Sequence, residues 1–358
     1  MSAQADFPPW LMPLWARAFT QGKRLPHAIL LAGAPGSGKR LFAEKLAQSL
    51  LCDTPDAEGF SCGVCGSCNW FGAANHPDMH RMVPASEEAD DAESDGEVDS
   101  GKKEKKKSDQ IRIDQMRDMQ GLMEISGHQG GRRVVLIDPA EAMNPAAANA
   151  LLKSLEEPPI DAVFLLVSHT PRRLLPTIRS RCQVWDFPVP EPAIATQWLQ
   201  ARGAKSPDAA LGAVLGFASG LPLAALTFVE GPLAEARQRF ARDMLALPGT
   251  DPLKLAGQWE SWLKAKDADK TGLSMTLLVG WLQRWLSDGA RLAAGGSARF
   301  FRDFAPQLGG LSAGRGESWI ACYNELLAYR RVAQHPLNAR LFLEDVLLRV
   351  ARGTGKAA

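Results

Sequence analysis

The sequence has no long apolar run, no surplus of charge of one sign and few cysteines. Among its 358 residues, no uninterrupted apolar stretch reaches the ~20 residues that a membrane-spanning helix needs. Lysine and arginine number 41 and aspartate and glutamate 40, so the formal net charge is +1. A chain this close to neutral is not drawn as a whole to nucleic acid. Any contact with DNA would have to come from a local patch or from a partner.

The sequence also lacks a secretory signal at its start. Residues 1–10 are polar and proline-rich and contain no apolar core of a signal peptide. We therefore expect a cytoplasmic location, where thiols stay reduced. Four of the six cysteines crowd between Cys52 and Cys68. In a reducing compartment such a cluster indicates a metal site before disulfides.

Length and apolar patterning predict the domain organisation. A chain of 358 residues is long enough for two or three domains. In its first half, short apolar runs alternate with helical patterns, at 28–31, 39–51, 111–123, 134–137, 145–155 and 163–167. That alternation predicts an α/β fold with a parallel sheet covered by helices on both faces. Prolines at 188, 190 and 192 indicate a boundary, after which we expect only helices.

A charged, low-complexity block occupies residues 86–108. Its first half is acidic, its second half is basic, and it has almost no apolar residue to bury. Such a composition cannot support a core, so the block is predicted to be a disordered surface insertion. No function is assigned to it.

The C-terminal part carries apolar residues at helical spacing, which predicts buried helix faces. The two clearest sets are Leu278, Trp281, Leu282 and Trp285, and Leu343, Val346, Leu347 and Val350. A tryptophan stacked on a DNA base is the alternative, but the helical spacing favours a core. The isolated Cys182 and Cys322 are likewise expected to be buried as small apolar side chains.

A glycine-rich segment at 33–40 follows the first predicted strand and precedes a predicted helix. It reads Gly-Ala-Pro-Gly-Ser-Gly-Lys-Arg and fits the phosphate-loop pattern, in which Ser or Thr usually follows the lysine. The glycines let backbone N–H groups wrap a phosphate chain, and the helix N-terminus adds its dipole. The candidate nucleotide-binding residues are Gly33, Pro35, Gly36, Ser37, Gly38, Lys39, Arg40 and Asp138.

Two groups needed for ATP hydrolysis are missing from this site. Arg40 stands where a hydroxyl usually binds Mg²⁺, and an arginine cannot coordinate a cation. Asp138 ends its strand where a magnesium-binding carboxylate belongs, but Pro139 follows where an active ATPase carries a water-polarising glutamate. The side chain of Glu141 is expected to point elsewhere. The chain is therefore predicted not to hydrolyse ATP by itself, and both an empty loop and one holding ATP or ADP idly stay compatible with the residues.

Four cysteines with the spacing Cys-x9-Cys-x2-Cys-x2-Cys form a candidate metal site. Zn²⁺ takes four thiolates tetrahedrally, and four protein ligands leave no open position, so a structural zinc is predicted. An iron–sulfur cluster is the alternative, but its bacterial pattern places the fourth cysteine downstream and before a proline. The predicted ligands are Cys52, Cys62, Cys65 and Cys68.

Arg181 lies in a Ser-Arg-Cys segment that follows a strand and a predicted loop at 170–179. Nothing in its own domain requires it, and the simplest interpretation is a solvated or salt-bridged arginine. Oligomeric P-loop ATPases, however, often take an arginine finger from a neighbouring subunit to stabilise charge on the transferring phosphoryl group. Arg181 is therefore a candidate to act in trans.

Together these motifs resemble the clamp-loader subunits of bacterial DNA polymerase III, an AAA+ family. The resemblance is strong over about residues 10–230 and looser beyond them. It rests on the phosphate loop, the cysteines, His-Pro-Asp at 76–78, Ile-Arg-Ile-Asp-Gln at 111–115, Asn-Ala-Leu-Leu-Lys-Ser-Leu-Glu-Glu-Pro-Pro at 149–159 and Ser-Arg-Cys at 180–182.

The resemblance implies three domains. They are an AAA+ P-loop domain at 1–187 with a zinc module at 52–68, a small helical lid domain at 188–232, and an all-α collar domain for oligomerisation at 233–358. Motor subunits of the family differ from this sequence at three places. Here Arg40, Pro139 and Gly-Leu-Pro-Leu at 220–223 replace a hydroxyl, a glutamate and a Gly-Ser-x-Arg motif, which implies a non-motor member.

A non-motor member of that family is a stator in a ring that loads the sliding clamp onto primed DNA. The resemblance implies that Arg181 is donated to a neighbouring ATPase subunit and that the chain belongs to the polymerase holoenzyme without catalytic activity of its own. Implied partners are the gamma/tau motor subunits and the delta subunit, with the sliding clamp and primer–template DNA reached through the complex. The alternatives are an ATP-hydrolysing gamma/tau-like motor subunit and a self-standing zinc-dependent DNA-binding module, which would bind DNA in a salt-sensitive way.

Overall fold

The computed structural model describes residues 7–20, 25–86, 108–124, 132–204, 207–229, 232–265, 272–333 and 338–355. They belong to two compact units, Met1–Pro188 and Val189–Ala358. The predicted insertion at 86–108 lies outside the described residues except for its ends. There the N–H of Ser86 donates to the carbonyl of Ser108 at 3.1 Å, so the two ends of the block lie next to each other.

The first unit is built on a parallel sheet of five strands in the order β2-β3-β4-β1-β5. The strands are β1 (Ala28–Ala32), β2 (Met79–Met82), β3 (Arg133–Ile137), β4 (Ala162–Ser168) and β5 (Gln183–Asp186). The central strands β1 and β4 are buried at every position, as expected for strands covered on both faces. The predicted α/β class with a parallel sheet is confirmed.

The described residues of the first unit form six α-helices. They are α1 (Met12–Thr20), α2 (Lys39–Leu51), α3 (Gly66–Gly72), α4 (Ile113–Glu124), α5 (Pro145–Glu156) and α6 (Pro176–Arg181). Helix α5 begins where the Asn144 side chain accepts the N–H of Ala147 at 2.7 Å, which satisfies one free N–H of its first turn. It ends before Pro158 and Pro159, since proline cannot continue a helix.

Several elements differ from the sequence-based prediction, which also did not include helices α1 and α3. Strands β2 and β5 were not expected, because they lie at the two edges of the sheet and their residues are partly exposed. An edge strand needs no continuous apolar run, so its sequence carries a weaker signal. The loop predicted at 170–179 is a short 3₁₀ turn followed by α6, which starts at Pro176.

The second unit is helical in the residues that the structure describes. Its helices are α7 (Pro192–Ala201), α8 (Asp208–Phe217), α9 (Pro222–Leu226), α10 (Pro232–Ala246), α11 (Pro252–Leu263), α12 (Met275–Ala293), α13 (Ala305–Ser312), α14 (Gly316–Val332) and α15 (Ala339–Thr354). Trp259, Trp281, Trp285 and Trp319 are fully buried in one apolar cluster. The apolar faces predicted on α12 and α15 are thereby confirmed as core. Within the described ranges, none of the helices combines the length and apolar character needed to traverse a bilayer.

Candidate nucleotide loop, metal centre and trans-acting arginine

The glycine loop leaves the end of β1 and enters α2, and its shape depends on glycine. Gly36 and Gly38 have φ of 82° and 95°, a left-handed conformation that side chains with a Cβ rarely adopt. At Gly33 an added Cβ would lie 3.0 Å from the Cβ of Phe187 and 3.1 Å from the Oγ of Ser37. The loop therefore has the backbone form of a phosphate loop, placed between strand and helix as predicted.

The Lys39 ammonium lies inside this loop. Its Nζ donates to the carbonyls of Gly33 and Ala34, each at 2.7 Å, and the residue is buried. Burial lowers the pKa of Lys39 to about 8, while the nearby carboxylates of Glu141 and Asp138 act in the opposite direction. A phosphate chain entering the loop would have to replace these carbonyls as partners of the ammonium.

Arg40 and Asp138 form an ion pair across the site. Asp138 follows the last residue of β3, and its carboxylate is almost fully buried; the Nε of Arg40 lies 3.0 Å from its Oδ2. In a P-loop ATPase the corresponding carboxylate faces Mg²⁺. Here a guanidinium neutralises it, and a second cation at the same oxygen would be repelled. The sequence indicated both residues but not that they pair.

Glu141 is committed to the backbone at the end of β4. Its Oε1 accepts the N–H of His169 at 2.8 Å and the N–H of Thr170 at 3.0 Å. These bonds fix the turn after β3 against the turn after β4. Glu141 is close enough to raise the pKa of Lys39. Its role here is nevertheless structural, because its Oε1 already accepts hydrogen bonds from two backbone N–H groups.

The four clustered cysteines converge on one point. Their Sγ atoms all lie within 4.8 Å of one another, with pairs at 3.6 Å (Cys52–Cys62) and 3.9 Å (Cys52–Cys65 and Cys62–Cys68). Four thiolates bound tetrahedrally at ~2.3 Å lie about 3.8 Å apart. The residues present therefore fit a single metal ion.

Backbone amides support the same sulfurs. The N–H groups of Cys62, Cys65 and Cys68 donate to the Sγ of Cys52, Cys62 and Cys65, each at 3.3 Å. A hydrogen bond with Thr54 and the amides of Val64 and Cys65 lower the pKa of Cys62 to about 6. Because metals bind the thiolate, these interactions favour the form of the side chain that acts as a ligand.

His76, of the His-Pro-Asp motif, anchors this module to the sheet. The N–H of Asp78 donates to His76 Nδ1 at 3.1 Å, so the Nε2 carries the proton and donates to Ser67 Oγ at 2.7 Å. Ser67 in turn donates to the carbonyl of Leu51. Ser67 sits between the last two cysteines, and this chain therefore connects α2, the cysteine loop and the start of β2. No sequence motif pointed to Ser67.

Arg181 ends α6 and pairs within its own chain. Its Nη2 lies 2.6 Å from Glu156 Oε1, and its Nη1 donates to the carbonyl of Thr177 at 3.0 Å. Of the two simple interpretations that the sequence offered, a solvated or a salt-bridged arginine, the structure has the salt-bridged one. Both side chains are partly exposed, at 35% for Arg181 and 52% for Glu156. Glu156 belongs to the Leu-Glu-Glu-Pro-Pro motif, which could have pointed to it.

The fold and site define an α/β protein with a parallel sheet, a glycine-rich loop between β1 and α2, and a module of four converging cysteines. Comparisons with known proteins define the family. The chain matches the family described as DNA polymerase III, delta subunit, over residues 11–191. It is 43% identical to DNA polymerase III subunit delta' of Pseudomonas aeruginosa, over 71% of this chain and 75% of the relative. With the Escherichia coli subunit of the same name the identity is 32%, over 77% of this chain and 76% of the relative.

The chain therefore belongs to the DNA polymerase III subunit delta' family. This confirms the resemblance to clamp-loader subunits that the sequence motifs carried. Among solved structures, a gamma subunit-related protein of DNA polymerase III from Thermotoga maritima aligns with 96% of this chain and 99% of its own length. That alignment has 18% identity and a TM-score of 0.47, a likeness too weak to support an inference about function.

Proposed function

We propose that this chain is a non-motor subunit of the clamp loader that assists ATP hydrolysis by a neighbouring subunit. The observation that carries this is the Arg40–Asp138 ion pair, which puts a side-chain cation on the carboxylate that would otherwise face Mg²⁺. Pro139, next in the chain, offers no carboxylate to polarise a water. Both features disfavour hydrolysis within this chain and so oppose the gamma/tau-like motor alternative.

Arg181 is the group that reaches the neighbour. It lies at the end of α6, and its bond to Glu156 is a partly exposed ion pair, worth at most about 1 kcal/mol. Such a bond is weak enough to be exchanged for a phosphoryl group of another subunit. The catalytic partner would be an ATP-bound gamma/tau motor subunit.

The cysteine module holds a structural Zn²⁺. Sulfurs within 4.8 Å of one another leave room for one ion but not for an iron–sulfur core between them. Zinc is the usual occupant of tetrahedral four-sulfur sites, and four protein ligands leave it no open position for catalysis. The ion would fix the loop between α2 and β2.

ATP or ADP would be held by the loop at 33–40 without being hydrolysed. Lys39 and the backbone N–H groups would bind phosphate oxygens, and Arg40 would stay on Asp138. The helical region would divide into a lid at 188–232 and a collar at 233–358 that joins the other subunits, including delta. The sliding clamp and primer–template DNA would be reached through that complex, in the cytoplasm.

The test is Arg181→Ala in a reconstituted clamp loader with sliding clamp and primed DNA. An arginine finger contributes about 10³ or more in rate at the site it serves. ATP hydrolysis should therefore be lost at one site of the ring while it continues at the other sites. Arg172→Ala, an exposed arginine on the preceding turn, is the matched control. If Arg181→Ala loads clamps and turns over ATP as fast as Arg172→Ala does, the trans-acting role of Arg181 is contradicted.

A second measurement separates this proposal from the motor alternative. The lone, pure chain should show no ATP turnover above that of a Lys39→Ala variant. Steady turnover that disappears in Lys39→Ala would make the chain a motor subunit and contradict the proposal.

A further inference from the structure

The second unit contains an open cavity of about 350 Å³ whose wall is dominated by arginine. Arg284, Arg291, Arg299 and Arg330 line it, together with the rings of Phe300 and Tyr323. The remaining lining residues are serine, glycine and glutamine, so no carboxylate is found among the described residues of the lining. Four cations thus face one space in a chain whose net charge is only +1.

Arg284 is fixed in place at the back of this cavity. Its Nη1 donates to the carbonyl of Phe217 at 3.0 Å, and its guanidinium lies 5.0 Å from the ring centre of Phe217 and 5.5 Å from that of Phe300. Burial and the charge of Arg330 lower its pKa. A half-buried guanidinium held by neutral groups beside a second arginine is short of negative charge.

The neighbouring acidic residue is already used by the backbone. Asp288, on α12, is fully buried, and its oxygens accept the N–H groups of Arg299, Phe300 and Phe301 at 2.7–2.8 Å. These bonds hold the segment that carries Arg299 and Phe300 against α12. Asp288 therefore shapes the cavity wall and is not free to neutralise the arginines in front of it.

The cavity arginines lack an acidic partner in the chain itself. Among the residues that the structure describes, no carboxylate lies within ion-pair distance of Arg284, Arg291, Arg299 or Arg330. Elsewhere in the same unit arginines are paired, as Arg237 is with Asp303 at 2.6 Å. A set of arginines that faces one space without acidic partners is an arrangement suited to binding an external anion.

We propose that this cavity binds phosphate groups. Guanidinium groups bind phosphate oxygens in pairs, and four of them line this one space. The cavity volume lies in the range of small-molecule sites, and it is open to solvent. The phosphate can come from a free nucleotide or from the backbone of single-stranded DNA, and the experiment distinguishes these two sources. This inference does not rest on the role proposed for Arg181 or for the P-loop.

The test uses the full-length chain and a fluorescein-labelled oligothymidylate, with anisotropy as the readout. The double variant Arg291→Gln/Arg330→Gln should bind at least about tenfold more weakly, because two guanidinium groups no longer pair with phosphate. The slope of log affinity against log salt should fall in magnitude by about 0.7 for each phosphate that is no longer neutralised. Arg242→Gln, an exposed arginine on α10 outside the cavity lining, is the matched control.

A second variant tests the site without removing charge. Gly280 lines the cavity, and a Cβ built on it meets no atom within 4 Å. Gly280→Leu should therefore fill the space and weaken oligothymidylate binding while the four arginines remain. Each comparison is repeated in a Lys39→Ala background, which removes binding at the P-loop from the measurement. Circular dichroism and thermal unfolding confirm that each variant is folded.

Pyrophosphate and deoxythymidine monophosphate, used as competitors, identify the source of the phosphate. Competition by the mononucleotide at concentrations near its own dissociation constant, abolished in the double variant, assigns the site to a free nucleotide. Binding of the oligomer alone assigns it to single-stranded DNA. The proposal is overturned if the double variant and Arg242→Gln bind alike. It is also overturned if polyglutamate binds as tightly as the oligomer and is weakened equally by the double variant, because the site would then recognise acidic protein.

Discussion

At the scale of single residues, two cations define the P-loop. Lys39 is buried and donates to two loop carbonyls, while Arg40 is half exposed and pairs with Asp138. In the proposed function, Lys39 supplies the charge for an incoming phosphate, whereas Arg40 occupies the carboxylate that would face a metal. The proposed binding of nucleotide and the proposed exclusion of magnesium would then be separable properties of adjacent residues.

The pKa of Lys39, lowered by burial to about 8, predicts the pH dependence of nucleotide binding. Below that pKa the ammonium is charged and can pair with phosphate; above it the amine is neutral. ADP affinity should therefore fall as pH rises through about 8, whereas an unperturbed lysine would stay charged to about 10. Isothermal titration calorimetry from about pH 7 to about pH 9 measures it.

The control is Lys39→Arg, since a guanidinium keeps its charge over that range. Its ADP affinity should be flat where that of the natural chain falls. An equal fall in both proteins would assign the pH dependence to another group and contradict the role given to Lys39.

The sequence identified most of the candidate site residues, but it did not show which of them contact each other. The Arg40 substitution could be recognised from the loop pattern alone. Its contact with Asp138 joins positions nearly 100 residues apart and depends on how β1 and β3 are placed in the sheet. The same holds for Arg181 and Glu156, which α5 and α6 bring together. Local patterns name candidate groups, whereas tertiary packing decides their partners.

At the scale of elements, the cysteine loop joins a packed part, where Phe60 stacks on Trp15, to a turn at Gly63 that lies in open space. The segment between α2 and β2 has a short helix, α3, whose first turn is capped by the Cys65 side chain. Its turn glycine Gly63 has φ of 74° and no atom within 4 Å of a Cβ built there. We expect the proposed zinc ion and the His76–Ser67 hydrogen bond to fix this turn.

Cys62→Ser should lower zinc content and thermal stability together. Serine keeps the size but removes the thiolate, and three ligands hold zinc less tightly than four. Zinc per chain, measured by mass spectrometry after extensive dialysis, should fall from one toward zero, and the unfolding midpoint should fall with it.

Cys182→Ser is the matched control, because Cys182 lies outside the cluster and its thiol is buried with its pKa raised to about 12. It should retain full zinc content whatever its stability. Zinc absent from the natural chain purified under reducing conditions would refute the assignment of the cluster.

The sequence predicted the interior strands and the helices with clear apolar patterns. Strands β1, β3 and β4 and helices α2 and α5 were found close to their expected bounds, because their interior position imposes long apolar or amphipathic patterns. The edge strands β2 and β5 escaped prediction, since Met-His-Arg-Met and Gln-Val-Trp-Asp keep polar residues toward solvent. The arginine cavity was missed for a related reason: its residues are spread from Arg284 to Arg330 and form no motif.

At the scale of the whole molecule, each unit has its own apolar core. In the first, Phe164 on β4 is fully buried among the side chains of β3, α4 and α5. In the second, Trp285 on α12 is buried in a cluster that runs from Phe217 to Val350. Units with separate cores can unfold as separate cooperative bodies.

Truncating each core side chain should therefore destabilise one unit selectively. Phe164→Ala and Trp285→Ala each leave a cavity that costs about 3–5 kcal/mol. Native-state hydrogen exchange followed by mass spectrometry reports the two units separately in the intact chain. Phe164→Ala should accelerate exchange in β1, β3 and β4 but not in α12 and α15, and Trp285→Ala should do the reverse. Acceleration of all these segments by either variant would mean that the chain unfolds as a single body, because a local packing defect can spread only through a shared cooperative transition.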